Sequence, residues 1–343
     1  MMLKKISLLL LLALSGAVKI SAQSDTPVIT GGLQYESTTS GGVTTMQPVI
    51  EPVVLIPLGD HWLIETRATF DEFIFREDGT SGPYHAQTFS TVDYLQLDYI
   101  VNSHLTVVVG RFLTPFGIYN ERLYPVWLRN FQDVPIIFPI GNLTTASSDG
   151  AMIRGALISR KDVEVNYTAF FSTLSTVNRF ESGRAGGGRV GVFLPQKRLE
   201  VGVSYEKLLQ DQRQNSVGAH FAWQPYSAPL DLKAEYAHSR NGQGYWAEAG
   251  YRFSQFRGED SWLGRFQAIG RVQQFEKGTA SPIDGLPGAN TRQVDFGLNY
   301  YLPHNVRLNT SYGRQFSPLG NSNIWNFEVT YRFLFPLIPG GHN

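Results

Sequence analysis

From about Thr26 to the end, the chain repeats one pattern. Stretches of roughly ten residues alternate apolar with polar or small side chains, and turn residues separate them. In one, Val294, Phe296, Leu298 and Tyr300 point one way and Asp295, Gly297 and Asn299 the other. Two later stretches repeat it. Val306, Leu308, Thr310 and Tyr312 oppose Arg307, Asn309, Ser311 and Gly313; Trp325, Phe327, Val329, Tyr331 and Phe333 oppose Asn326, Glu328, Thr330 and Arg332. Period two is the signature of a strand. Such stretches number about sixteen, an even count of the kind found in closed membrane barrels. The stretch over 46–58 is the weakest, because Pro48, Pro52 and Pro57 interrupt it.

The connections sharpen the reading. Short ones at Leu58–Asp60, Asn102–Ser103, Arg160–Lys161, Pro195–Lys197 and Pro303–His304 alternate with long ones. The long ones are Ser37–Thr45, Glu77–His85, Pro115–Asp149, Leu174–Ala185, Gln274–Asn290 and Ser317–Ser322. Short turns on one rim and long loops on the other describe an up-and-down meander. The apolar face is too large to be one packed interior, since a ring of this many strands encloses more volume than these side chains fill. Turned toward lipid, with the polar face toward a water-filled lumen, the same strands close every backbone hydrogen bond. The expected fold is therefore all-β, a transmembrane antiparallel up-and-down β-barrel. Trp62, Phe70, Tyr205, Trp223, Tyr236, Tyr251, Phe253, Trp262, Tyr300, Tyr331 and Phe333 lie near strand ends and suit two aromatic girdles.

Composition agrees where it bears on class. Of 343 residues, 17% are charged and 13% aromatic, 34 are glycine and none is cysteine. Twenty-nine basic side chains balance 29 acidic ones, against the basic excess of a nucleic-acid binder. The absence of thiols excludes disulfides, iron–sulfur clusters and thiolate zinc sites. No metal or cofactor motif appears. Residues 1–22 read as a signal peptide: Lys4 and Lys5, an apolar run from Ile6 to Val18, then Ile20-Ser21-Ala22 before Gln23. Residues 23–343 are then the barrel.

The connection 115–149 is the longest, rich in aromatics, and carries Glu121, Arg122, Arg129 and Asp133. A loop so apolar is expected to fold inward and narrow the lumen rather than extend into water. Gly110-Arg111-Phe112 at a strand end, then Thr114-Pro115-Phe116-Gly117, Asn120, Arg122 and Asp133-Val134-Pro135, resemble the phosphate-selective porin O and P family. That resemblance implies sixteen strands, a homotrimer in the bacterial outer membrane among lipid and lipopolysaccharide, and a lumen ladder of arginines and lysines passing anions such as phosphate.

Parity assigns ten basic residues to the lumen: Arg67, Arg111, Arg154, Arg189, Lys233, Arg252, Arg265, Arg271, Arg307 and Arg332. It assigns nine acidic ones: Glu65, Asp71, Asp98, Glu164, Glu200, Glu235, Glu248, Asp295 and Glu328. A wall so balanced departs from a basic ladder and suits small hydrophilic solutes or ions of either sign. The expected function is passive diffusion through an outer-membrane porin, with no catalysis. The constriction is expected at Arg111, Glu121, Arg122, Arg129 and Asp133, opposed by wall arginines. The alternatives are a barrel lipid or ester hydrolase, which would need Ser204 with His220 or His238 on the outer face, and a structural or adhesion barrel without a conducting pore.

Overall fold

The computed structural model describes residues 26–76, 79, 81–123, 125–138, 146–173, 184–209, 213–258, 261–278 and 286–337. The proposed signal peptide lies outside them. Sixteen strands run β1 Val28–Ser40, β2 Val43–Leu58, β3 Trp62–Arg76, β4 Tyr84–Asn102, β5 Leu105–Leu113, β6 Ser147–Ser159, β7 Glu164–Thr173 and β8 Ala185–Leu194. They continue as β9 Leu199–Leu208, β10 Gln214–Trp223, β11 Leu230–Ser239, β12 Gly242–Arg252, β13 Phe266–Lys277, β14 Thr291–Leu302, β15 Val306–Phe316 and β16 Ser322–Pro336. Each pairs antiparallel with its chain neighbours, and β1 closes on β16 from Val28↔Pro336 to Ser40↔Ile324. Closure removes every sheet edge.

The two faces are inverted relative to a water-soluble fold. Leu33, Tyr35, Ile50, Phe70, Val203, Tyr236, Phe296 and Trp325 are exposed on the outside. Gln34, Glu51, Arg67, Asp98, Glu206, Asp295, Asn309 and Glu328 are buried inside. Among the described residues no helix is long and apolar enough to cross a membrane. The outward apolar band is instead the surface that suits hydrocarbon.

Three details depart from the sequence reading. The long connection expected at Ser37–Thr45 is a tight hairpin. The strands run on to Ser40 and Val43, and Gly41 and Gly42 turn the chain with φ of 59° and 86°. Two positive φ angles in succession are what a twist-matched hairpin needs, and glycine supplies them without a Cβ clash. A second exception on that rim is the β11–β12 turn, which leaves only residues 240–241 between strands. On the short-turn rim, 253–265 is long and contains a helical turn at Ser254–Arg257. The prolines of β2 are accommodated by interrupted pairing: the β2–β3 register skips 47–48 and 51–52, where Pro48 and Pro52 have no N–H to offer.

Aromatics gather at both ends of the outer face. At the short-turn rim Trp62 meets Tyr99 at 4.5 Å between ring centroids and Phe266 meets Tyr300 at 4.6 Å. At the long-loop rim Tyr312 meets Trp325 at 4.6 Å, and the Tyr205 hydroxyl donates to Asn215.

Candidate pore constriction

The segment after β5 does not leave the barrel; it turns into the lumen. At its base the Thr114 and Ser148 hydroxyls are 2.9 Å apart. Asn120 Nδ2 donates to the carbonyls of Thr114 (2.8 Å) and Ala146 (2.9 Å), tying the two ends of the loop together. Gly117 makes the inward bend with φ of 63°. A Cβ there would lie 1.4 Å from Glu235 Oε1, so both conformation and space demand glycine.

Beyond the bend, the loop spans the ring on wall side chains. The Gly117 N–H donates to Ser204 Oγ on β9 (3.0 Å). The N–H groups of Ile118 and Tyr119 donate to Glu235 Oε2 on β11 (3.2 and 3.1 Å). Val126 N–H donates to Glu51 on β2 (3.1 Å), and Ile136 N–H to Gln273 on β13 (2.9 Å). Arg307 on β15 donates to the carbonyls of Val126 (2.9 Å) and Arg129 and also binds Glu328 (2.9 Å). Asn130 donates to Glu248 on β12 (2.8 Å), while its carbonyl accepts from Asn299 (3.2 Å) and Asn309 (3.1 Å). A loop taken out of water must satisfy its backbone this way, because orphaned polar groups are costly.

Apolar contacts lock the same path. Phe116, Ile118, Tyr119 and Ile137 cluster with Ala237, Trp246 and Phe275 of the wall. Three wall glycines provide dents for the large side chains. A Cβ on Gly32 would stand 2.6 Å from Trp127, one on Gly218 2.6 Å from Phe116, and one on Gly244 2.7 Å from Ile137. These separations are far inside van der Waals contact, so the loop seats only because the wall lacks side chains there.

The proposed constriction residues fall in different places. Glu121 pairs with Arg189 on β8 at 2.5 Å. Arg122 pairs with Glu200 on β9 at 2.5 Å, yet its side chain is 42% exposed to the lumen. Burial opposes the Arg122 charge, and Glu200 outweighs that effect, so its pKa lies above the usual arginine value. Arg129 belongs to the loop itself and is partly buried. Burial opposes its charge, but Tyr119 and the carboxylates of Glu51, Glu36 and Glu328 together hold its pKa higher still. Asp133 binds Arg271 on β13 at 2.5 Å.

Arg111 is a correction. It pairs across the sheet with Leu95 and Asp149, in the row that holds exposed Val109 and Ile153, and so lies on the outer face. There it meets Asp149 at 3.2 Å. The misreading has a local cause. Val107-Val108-Val109 hides the alternation, since Val108 is apolar but points inward against Phe112, Met152 and Phe170.

Of the wall residues, Arg67, Arg271 and Arg307 are 0%, 2% and 6% exposed. They bind the loop or buried carboxylates rather than open lumen; Arg67 joins Glu51 of β2 (2.8 Å) and Asp93 of β4 (3.2 Å) and lies 6.0 Å from the Trp127 ring of the loop. Arg154 is 38% exposed and pairs with Asp98 at 2.5 Å. Arg189 also donates to the Gly117 carbonyl (2.7 Å). Lys233 pairs with Asp231. Arg252 stacks on Tyr301 at 4.2 Å. Arg265 precedes β13 in the short-turn rim, and Arg332 lies exposed near the end of β16.

Glu36, Glu51 and Asn130 were missed. Glu51 sits in the proline-interrupted stretch, where alternation is weakest. The hydrolase pair expected on the outer face is not there: Ser204 and His220 are on adjacent strands but face the lumen, Ser204 accepting from Gly117 and His220 lying 3.4 Å from Glu200, while His238 is exposed outside. Among the described residues no cluster of metal-ligand type occurs.

The ring and its inward loop define a porin-type β-barrel fold, and solved structures agree. An anion-selective porin from Comamonas acidovorans aligns with a TM-score of 0.58 at 10% identity, covering 90% of this chain and 99% of that one. Pseudomonas putida OprB at high pH aligns with a TM-score of 0.61 at 9% identity, covering 90% and 94%. Vibrio cholerae OmpT lacking loop L8 aligns with a TM-score of 0.56 at 12% identity, covering 90% and 100%. No family model and no curated protein matches the chain.

Proposed function

We propose that this chain is an outer-membrane porin through which small hydrophilic solutes or ions diffuse passively. One observation carries the reading. A barrel with an apolar exterior and a charged interior holds its longest described connection across the lumen by hydrogen bonds that the loop N–H groups donate to Ser204, Glu235, Glu51 and Gln273. A loop so placed narrows a pore without closing the ring, and rates through it follow pore width and lumen charge. No reacting group is needed for this.

The charge balance supports traffic of either sign over a phosphate ladder. Arg271 and Arg307 are spent on the loop. Toward the short-turn rim, Arg252, Arg265 and Arg332 lie on the β12–β16 side, and Glu65, Asp98 and Glu164 lie on the β3–β7 side, where Arg154 pairs with Asp98. Anions such as phosphate are among the solutes proposed, on the family resemblance. The proposal extends to export by a leader ending at Ala22, assembly as a homotrimer, and an outer rim against lipopolysaccharide. Planar-bilayer recording of refolded protein is the test. Stepwise conductance is expected; its absence from heat-modifiable, folded barrel overturns the channel and leaves a structural barrel.

A further inference from the structure

Beneath the inward loop, on its short-turn side, lies a cavity of about 250 Å³. Its walls come from two sources. The loop supplies Arg122 and Leu123; the barrel supplies Phe193, Arg198, Glu200 and Lys233. Phe193, Glu200 and Lys233 lie in the lumen-facing rows of β8, β9 and β11. The cavity exists only because the loop is folded in.

Its charge is lopsided. Arg122, Arg198 and Lys233 bring three positive charges, against Glu200 in the wall and Asp231 behind Lys233. Among the described residues no carboxylate pairs with Arg198: it donates to Gln224 at 2.8 Å and lies 5.3 Å from the Tyr226 ring centroid. Among the described residues, one positive charge therefore remains uncompensated. Leu123 and Phe193 add apolar lining to the same cavity.

We infer that this cavity is a binding subsite for a small monoanionic carboxylate with an apolar body. The carboxylate would sit at Lys233 and Arg198, where a charge-assisted hydrogen bond outlasts one to a neutral donor. The apolar body would lie against Phe193 and Leu123, shielded from water. The volume equals roughly eight waters, enough for a short fatty acid and too small for an oligosaccharide. Convergent polar groups beside apolar side chains are the ordinary form of a ligand site. A dianion would leave a charge unmatched, and a polyol would leave the apolar lining unmatched. The subsite deepens the channel proposal by giving one solute class a resting place below the constriction.

The test uses hexanoate as probe, gluconate as the monoanion without an apolar body, and the full-length folded barrel. In bilayers, hexanoate added on the short-turn side is expected to reduce the chloride current at concentrations where gluconate does not. Lys233→Gln and Phe193→Ala are each expected to raise the half-blocking concentration about tenfold, the loss of one charged or apolar contact. Equal block by the two anions, or block unchanged in both variants, overturns the subsite while the channel reading stands. Saturation-transfer NMR on detergent-solubilised barrel reads binding without conduction. Hexanoate signal that weakens in Phe193→Ala supports the subsite even if no current is found, and absence of signal from wild-type protein overturns it.

Discussion

Arg271 on β13 grips Asp133 at the far arm of the inward loop, with 2.5 Å between guanidinium and carboxylate and a second hydrogen bond of 2.9 Å to the Asp133 carbonyl. The same arginine binds Asp295 of β14 at 3.2 Å and lies over Phe131 at 4.6 Å. It joins wall and loop in one buried network. Replacing Arg271 with Ala would strand two carboxylates, a change that costs about 3–5 kcal/mol for buried pairs. The expected result is a lower unfolding midpoint in detergent and a larger, noisier single-channel conductance. Unchanged conductance with the arginine removed would show that the loop does not limit the current.

The glycine dents predict a packing effect. Gly32→Val and Gly218→Val drive side chains into Trp127 and Phe116, an overpacking of about 1–3 kcal/mol. The barrel has other strands to hold it, so the loop should yield first. Limited proteolysis is expected to cut within 116–138 in the variants and to spare the wild type. An uncut loop in both variants would mean that the wall, and not the loop, gives way.

Arg122 and Arg129 should separate in selectivity measurements. Arg122 is 42% exposed; Arg129 is partly buried and held in the field of the carboxylates of Glu51, Glu36 and Glu328. Arg122→Glu is expected to move the reversal potential in a potassium chloride gradient toward cations. Arg129→Ala is expected to lower stability and leave the reversal potential nearly in place. If Arg122→Glu has no effect on that potential, Arg122 is not at the constriction.

The two faces of the wall predict opposite tolerance to charge. Val203 on β9 is 60% exposed outside, and Val203→Arg should cost about 2–4 kcal/mol if it lies at the bilayer midplane. Asn166, in the lumen row of β7, should accept Lys with little change. Urea unfolding in lipid vesicles measures both. Equal destabilisation would contradict an outward lipid face.

Strand pattern alone was enough to read a ring of about sixteen strands and its polarity, because period two needs only the local alternation of side chains, and the length and aromatic content of 115–149 marked the inward loop. Where alternation failed, so did the reading: Val107-Val108-Val109 concealed that Arg111 points outward, and the prolines of β2 concealed Glu51. Which arginines face open lumen was decided by tertiary structure. Arg307 meets the loop across a separation of 181 residues to Val126, and Asn309 meets Asn130 across 179. No local pattern encodes such pairs. They form only when the ring closes and the loop drops onto Gly32, Gly218 and Gly244, turning what parity marks as lining into a buried clasp.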